Sequence, residues 1–381
     1  MKSIAGIMRH PLRLLPFGVF GLSLATTGVM WWLVSQSIRQ KAYSVYTDRT
    51  SEIVERISKR LHDHEQVLRG VAGLFSAKQE VSRTEWRRYV DALQLEEDHP
   101  GILGLGFAAR MTPAEKEANT KTIRAEGFPD YRVVPEGDRE TYAPLIYVEP
   151  FNWRNQRAFG YDLYAEPVRR AALDQARDQG TFTISGAVTL VPETDRGKQS
   201  GILTLFPVYR RSMPADTVEQ RRAALQGFVC SPIRMKDFVY ATLGNPPDDL
   251  AFEIFDGKSA APDRRTFSSL ESEGISLPPG YRPAFSSVSG FTIHGRSWTI
   301  SFRTLPQFDP QFHSVNKTLA LSSGAAVSLL LAWIAFMLQS TRDRALALAG
   351  KMTAGLRESE QRLAAMAAAT PARTAFSAAS G

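Results

Sequence analysis

The chain has one cysteine, Cys230, in 381 residues. That excludes an internal disulfide framework and any zinc site built on cysteine pairs. Histidine is equally thin: of six, only His62 and His64 lie close together. Two residues apart on a helix, they do not share a face and make no metal pair. No G-x-S-x-G, H-E-x-x-H or phosphate-cradling glycine loop occurs, which removes the common signatures of serine hydrolases, zinc proteases and nucleotide triphosphatases. On these grounds no catalytic residue, metal or cofactor is expected.

Charge is also missing from two stretches. Residues 15–38 and 318–341 contain no Asp, Glu, Lys or Arg. At about 1.5 Å per residue each run extends roughly 36 Å, enough to cross a hydrocarbon core of about 30 Å with some tilt. A basic start before an apolar stretch also fits a cleavable signal peptide, but residues 36–40, QSIRQ, are a poor cleavage context, so an uncleaved anchor is expected. Trp31 and Trp32 suit a membrane interface. The second run has no polar face, unlike a buried core helix.

The formal net charge of +7 sits at the ends. Residues 1–14 carry Lys2, Arg9 and Arg13 without an acid, and residues 342–381 carry six Lys/Arg against Asp343, Glu358 and Glu360. Each basic end adjoins an apolar run, so the basicity reads as membrane topology and no nucleic acid is expected. The positive-inside rule places both termini in the cytoplasm and residues 39–317 outside the inner membrane, in the periplasm of a bacterial cell.

Beyond the first span, Ile53, Ile57, Leu61, His64, Leu68, Val71 and Phe75 recur at helical steps. They predict a long helix over residues 39–77, serving either as a seam between two copies or as a spine for its own domain. Ser82 or Thr84 caps a helix running through Glu97, and Thr112-Pro113 opens another to about Glu126. A third covers residues 166–178, closed by Gly180. Strands are predicted at 131–134, 143–148, 181–191 and 201–209. A second αβ block follows: FVCSPI at 228–233, a helix over 233–243, a strand at 250–256, loop over 258–285, and a hairpin turning at His294-Gly295.

Three stretches carry a family likeness: HPGILGLGFAARM at 99–111, YAPLIYVEPFNWRNQRAFGYDLYAEPVRRAALDQARDQG at 142–180, and TLVPETDRGKQSGILTLFPVYRR at 189–211. In order, spacing and residue type they resemble a CHASE domain, the extracellular sensory module of bacterial receptors and plant cytokinin receptors. The resemblance implies an α+β fold: two transmembrane helices bracketing an extracytoplasmic long stalk helix with two tandem PAS-like α/β domains. The organisation expected is a cytoplasmic N-terminus (1–14), a first span (15–38) and a stalk (39–77). A sensor domain follows at 78–301, with a distal half at about 98–225 and a proximal half at about 226–305. A second span (318–341) and a cytoplasmic signalling helix (342–381) complete it. The run LRESEQRLAAMAAATP resembles the lead-in to a cytoplasmic PAS domain, so the chain reads as the input half of a kinase or cyclase receptor lacking its output domain.

The resemblance puts a small-molecule ligand in the distal half. Asp162 matches an aspartate that bonds an adenine-type ligand in plant relatives, and Ile184 and Thr194 match further pocket positions. Phe159, Tyr161, Tyr164 and Phe182 add aromatic surface around Asp162, as an apolar site with few polar groups requires. Ordinary core packing is the plainer reading of the aromatics, and turn capping that of Asp162. Tyr161 beside the acid departs from the plant pattern, so cytokinin is not carried over. Glu149, in the family's Y-x-E-P motif, is expected to bridge to Arg157, Arg169 or Arg170. The partners expected are the ligand, the membrane, a second copy in a homodimer, or a separately encoded cytoplasmic signalling protein. The rival readings are a membrane-anchored periplasmic hydrolase using Glu149 and Asp162, and a docking subunit that senses nothing.

Overall fold

The computed structural model describes residues 15–78, 80–99, 101–191, 200–308 and 315–369. One helix, α1 (Leu15–Ala77), joins the first apolar run to the polar stripe without a break. The stripe is a spine for its own chain. Ile57, Leu61, His64, Leu68, Val71 and Phe75 are all buried by neighbouring elements of the same molecule, so the inward face is already occupied.

Local chemistry sets the next helices. In α2 (Arg83–Ala92) Ser82 Oγ accepts from the Glu85 N–H, and the Glu85 carboxylate accepts from the Ser82 N–H at 3.0 Å. This reciprocal cap satisfies two donors that the helix start leaves open. The helix ends at Ala92 rather than Glu97, because Gln94 takes a left-handed φ of 44° before a single turn, α3 (Leu95–Asp98). After β1 (Leu105–Ala109), α4 (Pro113–Ala125) starts on the same kind of cap, from Thr112 and Glu115. Then come β2 (Leu145–Glu149) and α5 (Pro167–Gln179), where Glu166 accepts from the Val168 and Arg169 N–H groups and Gly180 ends the helix. The strand predicted at 131–134 is reduced to one bridge between Val134 and Tyr161.

The first sheet adds β3 (Thr183–Ile184), β4 (Val188–Thr189), β5 (Ser200–Tyr209) and, after α6 (Val218–Ala224), β6 (Leu225–Arg234). It is antiparallel, in the order β2-β1-β6-β5-β3, with β4 also paired to β5. FVCSPI, predicted to open the second block, instead lies in β6 at the centre of this sheet, with Phe107 opposite Val229 and Leu205 opposite Cys230. The reason is its pairing: both edges of β6 are hydrogen-bonded, to β1 and β5.

The second sheet follows α7 (Met235–Leu243) and consists of β7 (Leu250–Asp256), β8 (Arg265–Ser268), β9 (Ser286–Ile293) and β10 (Arg296–Thr304), in the order β8-β7-β10-β9. β8 and the short α8 (Ser269–Glu273) occupy part of the stretch read as loop. The β9–β10 hairpin does turn at His294-Gly295, both residues left-handed at φ 47° and 78°, the geometry that fits strand twist. The last described helix is α9 (Val315–Ala369).

Among the described residues two helices are long and apolar enough to cross a membrane, the first within 16–77 and the second within 321–366. By contacts, residues 42–311 make one compact unit, and the segments before and after make another. Within the latter the helices approach closely, since a Cβ on Gly324 would lie 2.3 Å from Thr27 Cγ2. The chain is therefore α+β, with long helices at its ends and sheets between them.

Alternation gives the first sheet two packed faces. Toward the spine, Phe107 stacks on Phe75 at 4.0 Å, and Tyr147 lies over Trp86 at 5.8 Å. The other face, with Ala108, Leu145, Leu203, Leu205, Phe228 and Cys230, packs against α5 through Ala172, Leu173 and Ala176 and against Ala158 and Leu163. The second sheet meets the spine through Arg49–Asp249 at 2.6 Å, Tyr46–Ser287 at 2.7 Å and Glu65–His294 at 2.8 Å.

Candidate functional site

The residues singled out around Asp162 sit on an irregular segment that closes over the second face of the first sheet. Gly160 makes that path possible. Its φ is +83°, and a Cβ there would stand 2.2 Å from the Arg132 carbonyl oxygen. With no side chain in the way, the Gly160 carbonyl accepts from the Val134 N–H, and the Asp162 N–H donates to the Val134 carbonyl at 2.7 Å. The adjoining Leu145 N–H donates to the Tyr161 carbonyl.

Asp162 is wholly buried. Its Oδ1 accepts from the Ala143 N–H at 2.8 Å and from the Tyr164 N–H at 3.0 Å, capping the 3-10 turn Leu163–Ala165. Oδ2 lies 3.2 Å from Arg139 Nη1, an ion pair whose angle falls short of a hydrogen bond. Burial pushes the carboxyl above its ordinary range; the two backbone donors, Arg139 and Arg170 offset this only in part. Its polar atoms are thus directed to protein groups, which is the work of a turn-capping residue.

The neighbouring aromatics diverge. Phe159 packs among Phe128, Tyr131 and Phe151, with the Arg83 guanidinium over its ring at 5.3 Å. The Tyr161 hydroxyl accepts from Arg169 Nη1 at 2.8 Å. The Tyr164 hydroxyl donates to Asp174 Oδ1 at 3.2 Å. Phe182 meets His294 edge-on at 5.1 Å, and Ile184 is buried in β3 opposite Thr204. Thr194 lies outside the described residues. Glu149 pairs with Arg87 Nε at 3.1 Å and accepts from the Phe151 N–H at 2.8 Å; the expected partners Arg157, Arg169 and Arg170 are not its partners. Arg87 on α2 reaches it because β2 lies beneath that helix.

Between this segment and the sheet is a small, partly open cavity of about 40 Å³. Gly106 of β1 with Gly104 just before it, Leu145 and Val148 of β2, Leu203 of β5, and Cys230 and Pro232 on β6 form its floor. Ala158, Leu163, Leu190 and Val191 cover it, and the polar groups on its wall are Asn155 and Arg169. The space exists because β1 carries glycine there. A Cβ on Gly106 would come within 2.8 Å of Leu145 Cδ2 and 3.3 Å of Cys230 Sγ. Burial pushes the Cys230 thiol up to about 12, which makes it a packing group and not a nucleophile.

None of the described residues chosen from the sequence lines this cavity; Ala158 and Leu163, their chain neighbours, do. Arg169 is one of the three arginines expected from the sequence as a bridge to Glu149. The signal that marks it instead is its place on the apolar stripe of α5, three, four and seven positions before Ala172, Leu173 and Ala176. A polar cleft of about 490 Å³ beside Tyr164 is a weaker candidate, since Arg177 and Arg222 in its wall already pair with Asp174 and Asp178. Among the described residues no group of three His, Cys, Asp or Glu side chains is placed to hold a metal ion.

Residues 79–267 match the family model of the CHASE domain. Over 133 residues the chain is 28% identical to "Hybrid signal transduction histidine kinase A" of Dictyostelium discoideum, a match covering 33% of this chain and 6% of that protein. The chain therefore spans only a small part of that relative. Among solved structures, the ligand-binding domain of an amino-acid chemoreceptor from Pseudomonas aeruginosa, in complex with GABA, superposes with a TM-score of 0.35 at 9% identity. That superposition covers 65% of this chain and 92% of that one. A likeness that weak carries nothing about the ligand.

Proposed function

The chain carries a CHASE sensor domain, and from that premise we propose that it is a two-pass membrane receptor subunit that binds a small molecule behind the first sheet. The observation that carries this reading is the small, mostly apolar cavity between the sheet and the 158–169 segment, with two polar side chains on its wall. Such a cavity, with few placed polar groups, suits a small-molecule site. The positive-inside rule supports cytoplasmic ends and an extracytoplasmic sensor in the bacterial inner membrane. Ligand contacts with the cavity roof would favour one arrangement of that segment, and the shift is bounded by the ligand's differential affinity for the two arrangements.

The hydrolase alternative is less favoured. Glu149 is engaged by Arg87 and the Phe151 N–H, and Asp162 by two backbone N–H groups. Neither carboxylate borders the cavity.

The test is a small-molecule screen by thermal denaturation of the full chain in detergent. A ligand at a hundredfold excess over its Kd adds about 2.7 kcal/mol of stability. Ala158→Leu, which fills the cavity, and Val191→Phe, at its half-buried rim, should each remove that gain. A ligand whose effect survives both substitutions binds elsewhere and overturns the proposal.

A further inference from the structure

Among the described residues, the wall of the cavity holds a charge without a counter-charge. Arg169 is only 4% exposed. Its Nη1 donates to the Tyr161 hydroxyl at 2.8 Å and its Nη2 to the Thr189 carbonyl at 2.6 Å. These use two of the five N–H donors that a guanidinium presents. The Tyr161 ring lies 5.1 Å beneath it. Among the described residues no carboxylate forms an ion pair with it. Glu166, the acid beginning the same helix, spends its two oxygens on the Val168 and Arg169 backbone N–H groups. Elsewhere in this half of the molecule buried charges are matched: Asp162 faces Arg139, and Glu149 faces Arg87.

A guanidinium stays protonated in a protein, so burying it without an anion is costly unless something else supplies the negative charge. The rest of the cavity is hydrocarbon apart from the Asn155 amide and the Cys230 thiol, and Asn155 Nδ2 already donates to the Leu103 and Pro150 carbonyls. A ligand that completes the site therefore has one anionic end for Arg169 and a short apolar body for Leu145, Leu203 and Cys230. Size is set by the volume. A water-sized centre takes about 10–15 Å³, so a cavity of about 40 Å³ admits a body of only a few non-hydrogen atoms. Resting on the proposed cavity site, we infer that the ligand is a short-chain monocarboxylate of roughly two to four carbons, its carboxylate paired with Arg169. Planar, two-pronged pairing with a carboxylate is what a guanidinium does better than an ammonium.

The experiment uses the full chain in detergent with acetate, propionate, butyrate and hexanoate, each beside its neutral primary amide. Two readouts are taken: the melting temperature, and the heat of binding by titration calorimetry. The inference expects propionate or butyrate to raise the melting temperature and give a saturable heat, with their amides and hexanoate inert. Arg169→Met should weaken carboxylate binding about 10- to 100-fold, as expected for losing charge-assisted hydrogen bonds, and Arg169→Lys should weaken it less. Amides that bind as well as acids, or acids that bind Arg169→Met undiminished, overturn the inference. If Val191→Phe abolishes that binding, the cavity as ligand site still stands. If no carboxylate binds at all, the inference falls, and the cavity reading is judged by the neutral compounds of the wider screen. Should Arg169→Met not fold, the acid-to-amide ratio of the wild type decides alone.

Discussion

Glu65 on α1 and His294 at the tip of the β9–β10 hairpin are joined by a 2.8 Å hydrogen bond across 229 residues of sequence. The same carboxylate accepts from Arg69 at 2.7 Å and lies 3.2 Å from His62, while the His294 ring meets Phe182 beside the first sheet. One side chain of the spine is thus tied to the second sheet, which in turn touches the first. Burial alone would raise the Glu65 carboxyl, but hydrogen bonds from Arg69 and His294 outweigh it and hold it below its ordinary range.

Removing that carboxylate should therefore loosen both sheets together. Glu65→Ala is expected to cost about 2 kcal/mol, since it deletes charge-assisted bonds. His294→Ala should cost less, and a double-mutant cycle should return a coupling of about 0.5–2 kcal/mol. Because the folded-state value is depressed, the stabilisation is present above the unfolded pKa and is lost as pH falls through the folded one. Urea melts of the four proteins check this; additive effects would show that the contact carries no energy.

His64 supplies a second pH handle. It is buried in the spine, and among the described residues its Nε2 has no hydrogen-bond partner. Burial lowers it from 6.5 to about 3, with smaller contributions from Arg60 and His99. The unfolded state then binds a proton that the folded state refuses, so stability should fall as pH drops from about 6.5 toward 3. His64→Leu is expected to flatten that slope and to raise the melting temperature at pH 5. An unchanged slope, read by calorimetry between pH 4 and 7, would count against it.

At Gly160 the backbone itself is the constraint. Gly160→Ala puts a methyl group against the Arg132 carbonyl at a positive φ. The expected loss is at least about 2 kcal/mol, or failure to fold, from strain plus displacement of the Val134–Asp162 backbone bonds. Gly73→Ala on α1, where a Cβ meets nothing within 4 Å, is the control and should be neutral or slightly stabilising.

Topology can be read with single introduced thiols, because Cys230 is buried and gives little background. Trp153 is 63% exposed, and Arg357 is exposed on α9. In intact cells an impermeant maleimide should label Trp153→Cys from outside and leave Arg357→Cys unlabelled until the membrane is opened. Equal labelling of both would refute the two-pass arrangement.

What the sequence disclosed was local. The caps at Ser82 and Thr112, the stop at Gly180 and the His294-Gly295 turn each depend on residues within a few positions, and all four elements lie close to where those signals put them. The long-range pairings were not legible in that way. β6 reads equally well as the start of a second block, and only its bonds to β1 and β5 place it in the first sheet. β8 hides among serine, proline and charge because it is four residues long. The site shows the same division. Asp162, picked for its motif, caps a turn, and the cavity draws one or two residues each from β1, β2, β5, β6 and α5. No window of sequence contains that set, and Arg169 was visible only as a cation on an otherwise apolar helix face.

The inward side of α1 is spent on its own chain, and its outward side includes Glu52, Arg56, Lys59 and Asp63, cross-linked along the helix as Glu52–Arg56 and Lys59–Asp63. Any lateral association along this rod would have to break or share those ion pairs. An association that shared those pairs across two rods would respond to ionic strength, weakening in concentrated salt.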